Sequence, residues 1–211
     1  MQLKELRERV VEVGLTLYDF RLVGISDGNV SARDPETNLV AVKPAGFNWK
    51  TLRAEDIPIV DVDGNVVEGD NRPSSETPMH TCIYRQRPEI MGAIHCHAPF
   101  SVAWSVVNKP IPAIIVNQVM TGGEIPISPF TMPGTLELGE CALDDMGEEG
   151  LAVVLQGHGT LCIGRSVEHA LHITLAVEDA AKTAIYAKII GGEMRSMEGD
   201  IAEMLARYKK G

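Results

Sequence analysis

The chain has 211 residues, 45% of them apolar and 23% charged, and a net charge of −10. This length suits one sizeable domain, residues 1–211, with a full core. The acidic balance and the 5% aromatic content argue against a nucleic-acid partner, which calls for a basic face and stacking rings. No apolar run approaches the ~20 residues that cross a bilayer, and the polar start Met1-Gln2-Leu3-Lys4-Glu5 is unlike a signal peptide. Cys82, Cys96, Cys141 and Cys162 lack C-x-x-C spacing and read as small buried residues of a reducing compartment, so a cytoplasmic protein is expected.

Leu3, Leu6, Val10, Val13 and Leu17 recur at steps of three and four, which predicts an amphipathic helix over about the first 18 residues. Gly24 and Asp27-Gly28 break it. Gly28-Asn29-Val30-Ser31-Ala32-Arg33 is short and rich in small polar residues. A strand over Asn38–Val42 ends in the turn Lys43-Pro44-Ala45-Gly46, and Asp63-Gly64 joins Ile57–Val62 to Asn65–Glu68 as a hairpin. Ser74 or Ser75 is placed to cap a helix to about Arg87 with Glu76 in its first turn.

A short strand then carries His95-Cys96-His97. Phe100–Val107 reads as helix, Pro112–Asn117 as a buried strand and Ile125-Pro126-Ile127 as another. Gly134–Met146 reads as helix, Leu151–Gln156 as an apolar strand, Gly157-His158-Gly159 as a tight turn and Thr160–Ile163 as a strand. Ser166 caps the longest helix, stopped near Ile190 by Gly191-Gly192, and a last helix covers about Asp200–Tyr208. Mixed helices and strands with two hairpins predict a three-layer α/β/α domain around a mixed, largely antiparallel sheet.

Strand alternation puts His95 and His97 on one side and turns Cys96 away. Two imidazoles on a rigid strand begin a divalent-metal site, with zinc the first candidate, or are merely polar residues near a sheet end. His158, between glycines just beyond an apolar strand, is the candidate third ligand; otherwise it is a solvated loop residue. Glu76 is either a carboxylate matching a helix dipole or an acid–base group beside the metal. Gly28-Asn29, Ala45-Gly46 and Ser74-Ser75 are turns whose N–H groups suit phosphate, with Lys43 able to add charge. His80 shares a helix face with Glu76 and is expected to pack or face solvent. His169 and His172 read as surface residues, although their spacing would also allow a second metal pair. Asp144, Asp145, Glu148 and Glu149 read as a solvated acidic face.

Gly28-Asn29-Val30-Ser31, Lys43-Pro44-Ala45-Gly46, Val67-Glu68-Gly69, Pro73-Ser74-Ser75-Glu76, His95-x-His97 and Gly157-His158-Gly159, in this order, resemble the class II aldolase/adducin family. The resemblance covers nearly the whole chain. It implies a zinc enzyme, a homotetramer with sites between subunits, that cleaves a small phosphorylated ketose through a metal-bound enediolate. His95, His97 and His158 would bind the zinc and Glu76 would be the general acid/base. Gly28, Asn29, Ala45, Gly46, Ser74 and Ser75 would line the phosphate pocket.

Glu76 and Ile125-Pro126-Ile127-Ser128-Pro129-Phe130 resemble the family's aldolases; Lys43-Pro44-Ala45-Gly46 and Glu76-Thr77-Pro78 in their context lean toward its epimerases. Where the aldolases carry a catalytic tyrosine this chain has Val116 or a neighbour, and where the epimerases carry an aspartate it has Val119 or a neighbour. Tyr208, acting from another subunit, is the remaining candidate donor. A 4-epimerase, a decarboxylase of a phosphorylated 3-oxo sugar acid and a non-catalytic interaction module are the rival readings.

Overall fold

The computed structural model describes residues 1–208, with side chains to Arg207. Helix α1 (Lys4–Asp19) leads to strands β1 (Asn29–Arg33), β2 (Val40–Val42), β3 (Ile59–Val60) and β4 (Val66–Glu68). Helix α2 (Thr77–Gln86), strand β5 (Gly92–Cys96) and helix α3 (Pro99–Val106) follow. Then come β6 (Ile127–Ser128), α4 (Leu136–Met146), β7 (Ala152–Leu155), β8 (Gly159–Gly164), α5 (Val167–Ile190) and α6 (Glu198–Tyr208).

All eight strands form one sheet in the order β4-β3-β2-β1-β5-β8-β7-β6. Every pairing is antiparallel except β6 with β7. Alternation sorts the side chains to two faces. Val30, Ala32, Ile94 and Cys96 pack with α1 and the start of α5. Ala93, Leu161 and Ile163 pack with Met79, Ile83 and Tyr84 of α2 and Leu138 and Ala142 of α4. This is the α/β/α arrangement that the sequence pattern implies.

Close layer packing rests on two glycines. Gly92 and Gly164 are directly opposed on β5 and β8. A Cβ on Gly92 would overlap the backbone of Val167, and one on Gly164 that of Ala170. The first turn of α5 therefore lies against the two central strands with no side chain between.

Two buried arginines close the edges. Arg7 donates to the carbonyls of Gln2 and Ile57 and pairs with Glu68 at 3.0 Å. Arg33 reaches the carbonyl of Tyr84 in the last turn of α2 and those of Pro88 and Ile90 beyond its end.

The short polar segment at 29–33, given no element from the sequence, is a central strand, fully buried between β2 and β5. Two expectations are corrected. The segment at 112–117 is not a strand. Ile111 makes one bridge to Ile125, and Val116–Met120 is a 3-10 turn. The reason is Gln118, whose buried amide oxygen accepts from Ile114 and Ile115 N–H at 2.8 and 3.1 Å, so those donors need no ladder. Finally, neither Ser74 nor Ser75 is the cap of α2. Glu76 holds the N-cap position, with no side-chain capping bond.

Candidate active site

The candidate site lies where β1, β5 and β8 run side by side. Asn29 of β1 is opposite His95 of β5, and His95 is opposite Leu161 of β8. His95 and His97 point to the α2 face, while Cys96 turns to the other face and meets Thr160 Oγ1 at 3.1 Å. The turn Gly157-His158-Gly159 brings in the third ring. Gly157 takes a φ of 66° there, the left-handed region that favours glycine. A Cβ on Gly159 would overlap the Cys96 carbonyl and stand 3.0 Å from both the His95 and the His97 rings.

The ligand atoms of His95, His97 and His158 lie within 4.8 Å of one another, the only such His/Cys/Asp/Glu group found among the described residues. His169 instead accepts from Arg165 N–H at 3.2 Å, and His172 is exposed. His95 Nε2 is 3.0 Å from His97 Nε2, near the roughly 3.3 Å edge of a tetrahedral zinc site. His95 Nδ1 donates to the Thr160 carbonyl at 3.0 Å, which leaves Nε2 as a lone pair directed into the cluster. Burial, then the neighbouring His158 and His97 rings, hold His95 well below the ordinary imidazole pKa. Burial also lowers His158, against the opposing pull of Glu76. Three rings this close together, the His95 lone pair directed among them and a carboxylate beside them form a donor set suited to a divalent cation.

Glu76 completes the group. Its Oε2 is 3.2 Å from His95 Nε2 and its Oε1 is 3.5 Å from His158 Nε2. Oε2 also accepts from Asn29 Nδ2 at 2.7 Å, whereas buried Oε1 has no hydrogen-bond partner. The side chain is directed at the histidines, not back at the helix N–H groups, so it does not serve as a dipole-matching cap.

The three small-residue turns meet at one corner beside Glu76. Ala45 N–H donates to Arg72 O at 2.9 Å and Ser74 N–H to Lys43 O at 3.0 Å, around a bridge between Pro44 and Pro73. Ser74 Oγ accepts from Glu76 N–H. Gly28, with a φ of 63°, packs against Val23 and the His95 carbonyl. The N–H groups of Gly46 and Ser75 have no acceptor among the described residues. Lys43 is buried behind this corner: Nζ donates to Ser26 O at 2.8 Å, lies 4.8 Å from the Trp49 ring and is lowered to about 8 by burial. The Tyr208 side chain lies outside the described residues.

Sequence reasoning gave no part to several residues that support this group. Glu178 of α5 accepts from Phe100 and Ser101 N–H, both at 2.9 Å, and so caps α3 just after His97. Ser105 Oγ of α3 accepts from Gly157 N–H at 3.1 Å. Asp27 lies 3.6 Å from His97 Nδ1. No local spacing signals any of these contacts, which join distant parts of the chain.

The model of the class II aldolase and adducin N-terminal domain matches residues 8–185. The chain belongs to this family. An L-fuculose 1-phosphate aldolase is similar at 30% identity, with a TM-score of 0.93 over 99% of this chain and 98% of that one. YgbL from Klebsiella pneumoniae, an aldolase, epimerase or decarboxylase of unassigned reaction, is 25% identical, with a TM-score of 0.83 over 97% and 99%. An L-fuculose 1-phosphate aldolase from Glaciozyma antarctica PI12 shares the fold at 20% identity, with a TM-score of 0.82 over 97% and 81%. The family is generally one of enzymes, and its class II aldolases are metal dependent. No helix among the described residues is long and apolar enough to cross a membrane.

Proposed function

We propose that this chain is a zinc-dependent aldehyde lyase that cleaves a small phosphorylated ketose. The observation that carries the reading is the convergence of three imidazoles with the Glu76 carboxylate 3.2 Å from His95 Nε2. His95, His97 and His158 would hold the metal. Bound there, a divalent ion supplies a Lewis acid that stabilises the negative charge left on the ketone side of the broken bond.

The chain's own residues do the rest. Asn29 holds Glu76 Oε2, and the unpartnered Oε1 takes or returns the proton of the reacting hydroxyl. The corner formed by Gly28, Asn29, Ala45, Gly46, Ser74 and Ser75 receives the phosphate, with the free N–H groups of Gly46 and Ser75 as its backbone donors and Lys43 contributing its field from behind. The Asn29 side chain joins Glu76 to His80 and its backbone pairs with His95, so Asn29 shapes the corner without donating to the phosphate. Exposed Val116, Phe130 and Met132 suit burial against further copies in a homotetramer, where Tyr208 would act across an interface. Four free cysteines suit a cytoplasmic setting.

Metal analysis and product analysis test this together. Purified without chelator, the protein is expected to hold close to one zinc per chain and to release dihydroxyacetone phosphate from a C5 or C6 ketose phosphate. Fewer than about 0.5 zinc per chain sinks the metal assignment. Decarboxylation is the second reading, favoured by one observation: the segment at 116–120 carries only Val, Asn, Gln and Met and so offers no proton donor, which a decarboxylation does not need, while epimerisation stays a product to be tested. A C4-inverted pentulose phosphate without free aldehyde, or carbon dioxide from a sugar-acid phosphate, would replace the lyase reading.

A further inference from the structure

Glu76, His80 and Tyr84 stand four residues apart on one stripe of α2 and its N-cap. Asn29 and Ser31 stand two apart on the facing side of β1. Four helical residues rise about 6.0 Å and two strand residues about 6.7 Å. The two rows therefore stay in step, and their side chains interlock.

The contacts run without a gap. Tyr84 Oη is 2.8 Å from Ser31 Oγ, and Ser31 Oγ is 2.6 Å from His80 Nδ1. His80 Nε2 meets Asn29 Oδ1, and Asn29 Nδ2 is 2.7 Å from Glu76 Oε2. Tyr84, Ser31, His80 and Asn29 are all buried.

Chemistry fixes the direction of every link. A carboxylate only accepts, so Asn29 must present its NH₂ to Glu76 and its carbonyl to His80. That carbonyl only accepts, so His80 must carry its proton on Nε2. The bare Nδ1 then accepts the Ser31 hydroxyl proton, and Ser31 accepts from Tyr84. Burial supports the neutral ring, lowering His80 to about 4.

We propose that His80 is a positioning residue for Glu76: as the neutral Nε2–H tautomer it locks the Asn29 amide, which pins Oε2 and leaves Oε1 as the single atom that exchanges a proton with substrate. The inference rests on the reading of Glu76 as the acid–base group. It assigns His80, Ser31 and Tyr84 to the reaction through Asn29, without contact to substrate or metal.

Two measurements test it. Nitrogen-15 NMR of the histidine rings should show His80 protonated on Nε2, bare on Nδ1, with a slowly exchanging Nε2–H. An Nδ1–H tautomer, or a doubly protonated ring at neutral pH, overturns the proposal. In kinetics, His80→Phe should lower kcat about 10-fold or more with KM and zinc content unchanged. His80→Gln, whose amide N–H can reach Asn29, should recover most of that loss. Wild-type kcat in His80→Phe, or a His80→Gln no better than it, overturns the proposal.

Should His80→Phe not fold, Ser31→Ala removes the proton given to Nδ1 and nearly preserves volume. It should leave Nδ1 without its donor, shift the Nδ1 resonance and lower kcat; an unchanged Nδ1 resonance and rate refute the chain of links. If the wild-type protein turns over no sugar phosphate at all, the proposed function falls, while the ring tautomer still decides the orientation of the chain.

Discussion

Replacing Gly159 with alanine adds one methyl group at the most crowded point of the histidine cluster. Gly159 does not sit at a positive φ, so alanine fits the backbone and the effect is one of space alone. The new Cβ would overlap the Cys96 carbonyl and stand 3.0 Å from His95 Cε1 and His97 Cδ2. Ordinary carbon contacts are about 3.5–4.0 Å, so each ring must retreat roughly 0.5–1 Å or the two strands must part.

Metal–ligand distances tolerate only about 0.2 Å. Zinc affinity should therefore fall about 10- to 100-fold, the range seen when ligand orientation is disturbed. Overpacking should also cost about 1–3 kcal/mol, a fall of roughly 2–12 °C in Tm for a chain of this size. Competition against a chromophoric chelator gives the affinity, and melting of the metal-free protein gives the stability. Unchanged zinc affinity together with an unchanged apo Tm would refute the placement of Gly159 between the two rings.

Three more outcomes are expected. Glu76→Gln should keep zinc, because the three imidazoles remain, and should lose turnover by roughly 10²-fold or more; wild-type rates would remove Glu76 from the chemistry. Burial lowers His80 from 6.5 to about 4, so the unfolded chain takes up a proton before the folded one as pH falls. That group's contribution is intact above about pH 6.5 and declines toward pH 4 by roughly 3 kcal/mol, visible as the difference in urea stability between wild type and His80→Phe across this window; parallel curves would contradict it. Glu178→Ala strands the Phe100 and Ser101 N–H groups at the start of α3 and should destabilise by about 2–5 kcal/mol. Zinc affinity should weaken as well, since α3 follows His97 and its Ser105 holds the Gly157 turn. A Tm within 1 °C of wild type, roughly 0.5 kcal/mol or less, would show that water replaces the cap.

Much of this was open to a reading of the chain alone, because the relevant physics is local. Period-two alternation fixes which way His95, Cys96 and His97 face. Periods of three and four mark the helices, and Ser166 and Gly191 bound α5 by side-chain capping and a left-handed φ. Antiparallel pairing follows from short turns such as Asp61–Gly64, closed by a Gly64 N–H to Asp61 O bond of 3.0 Å. The stripe Glu76, His80, Tyr84 was also legible as a spacing, but its meaning was not. Four-residue steps on a helix say only that three side chains share a face.

Tertiary structure decided what that face meets. It set β1 between β2 and β5, so that Asn29 and Ser31 lie under α2, and it made Glu76 an N-cap residue directed at the histidines and not at its own helix. It also turned residues 112–117, apolar enough for a strand, into a loop held by the Gln118 amide. In each case the deciding partner is distant in the chain or is a side chain standing in for backbone. Periodicity carries no record of such pairings, since it reports which residues are buried and not what they are buried against.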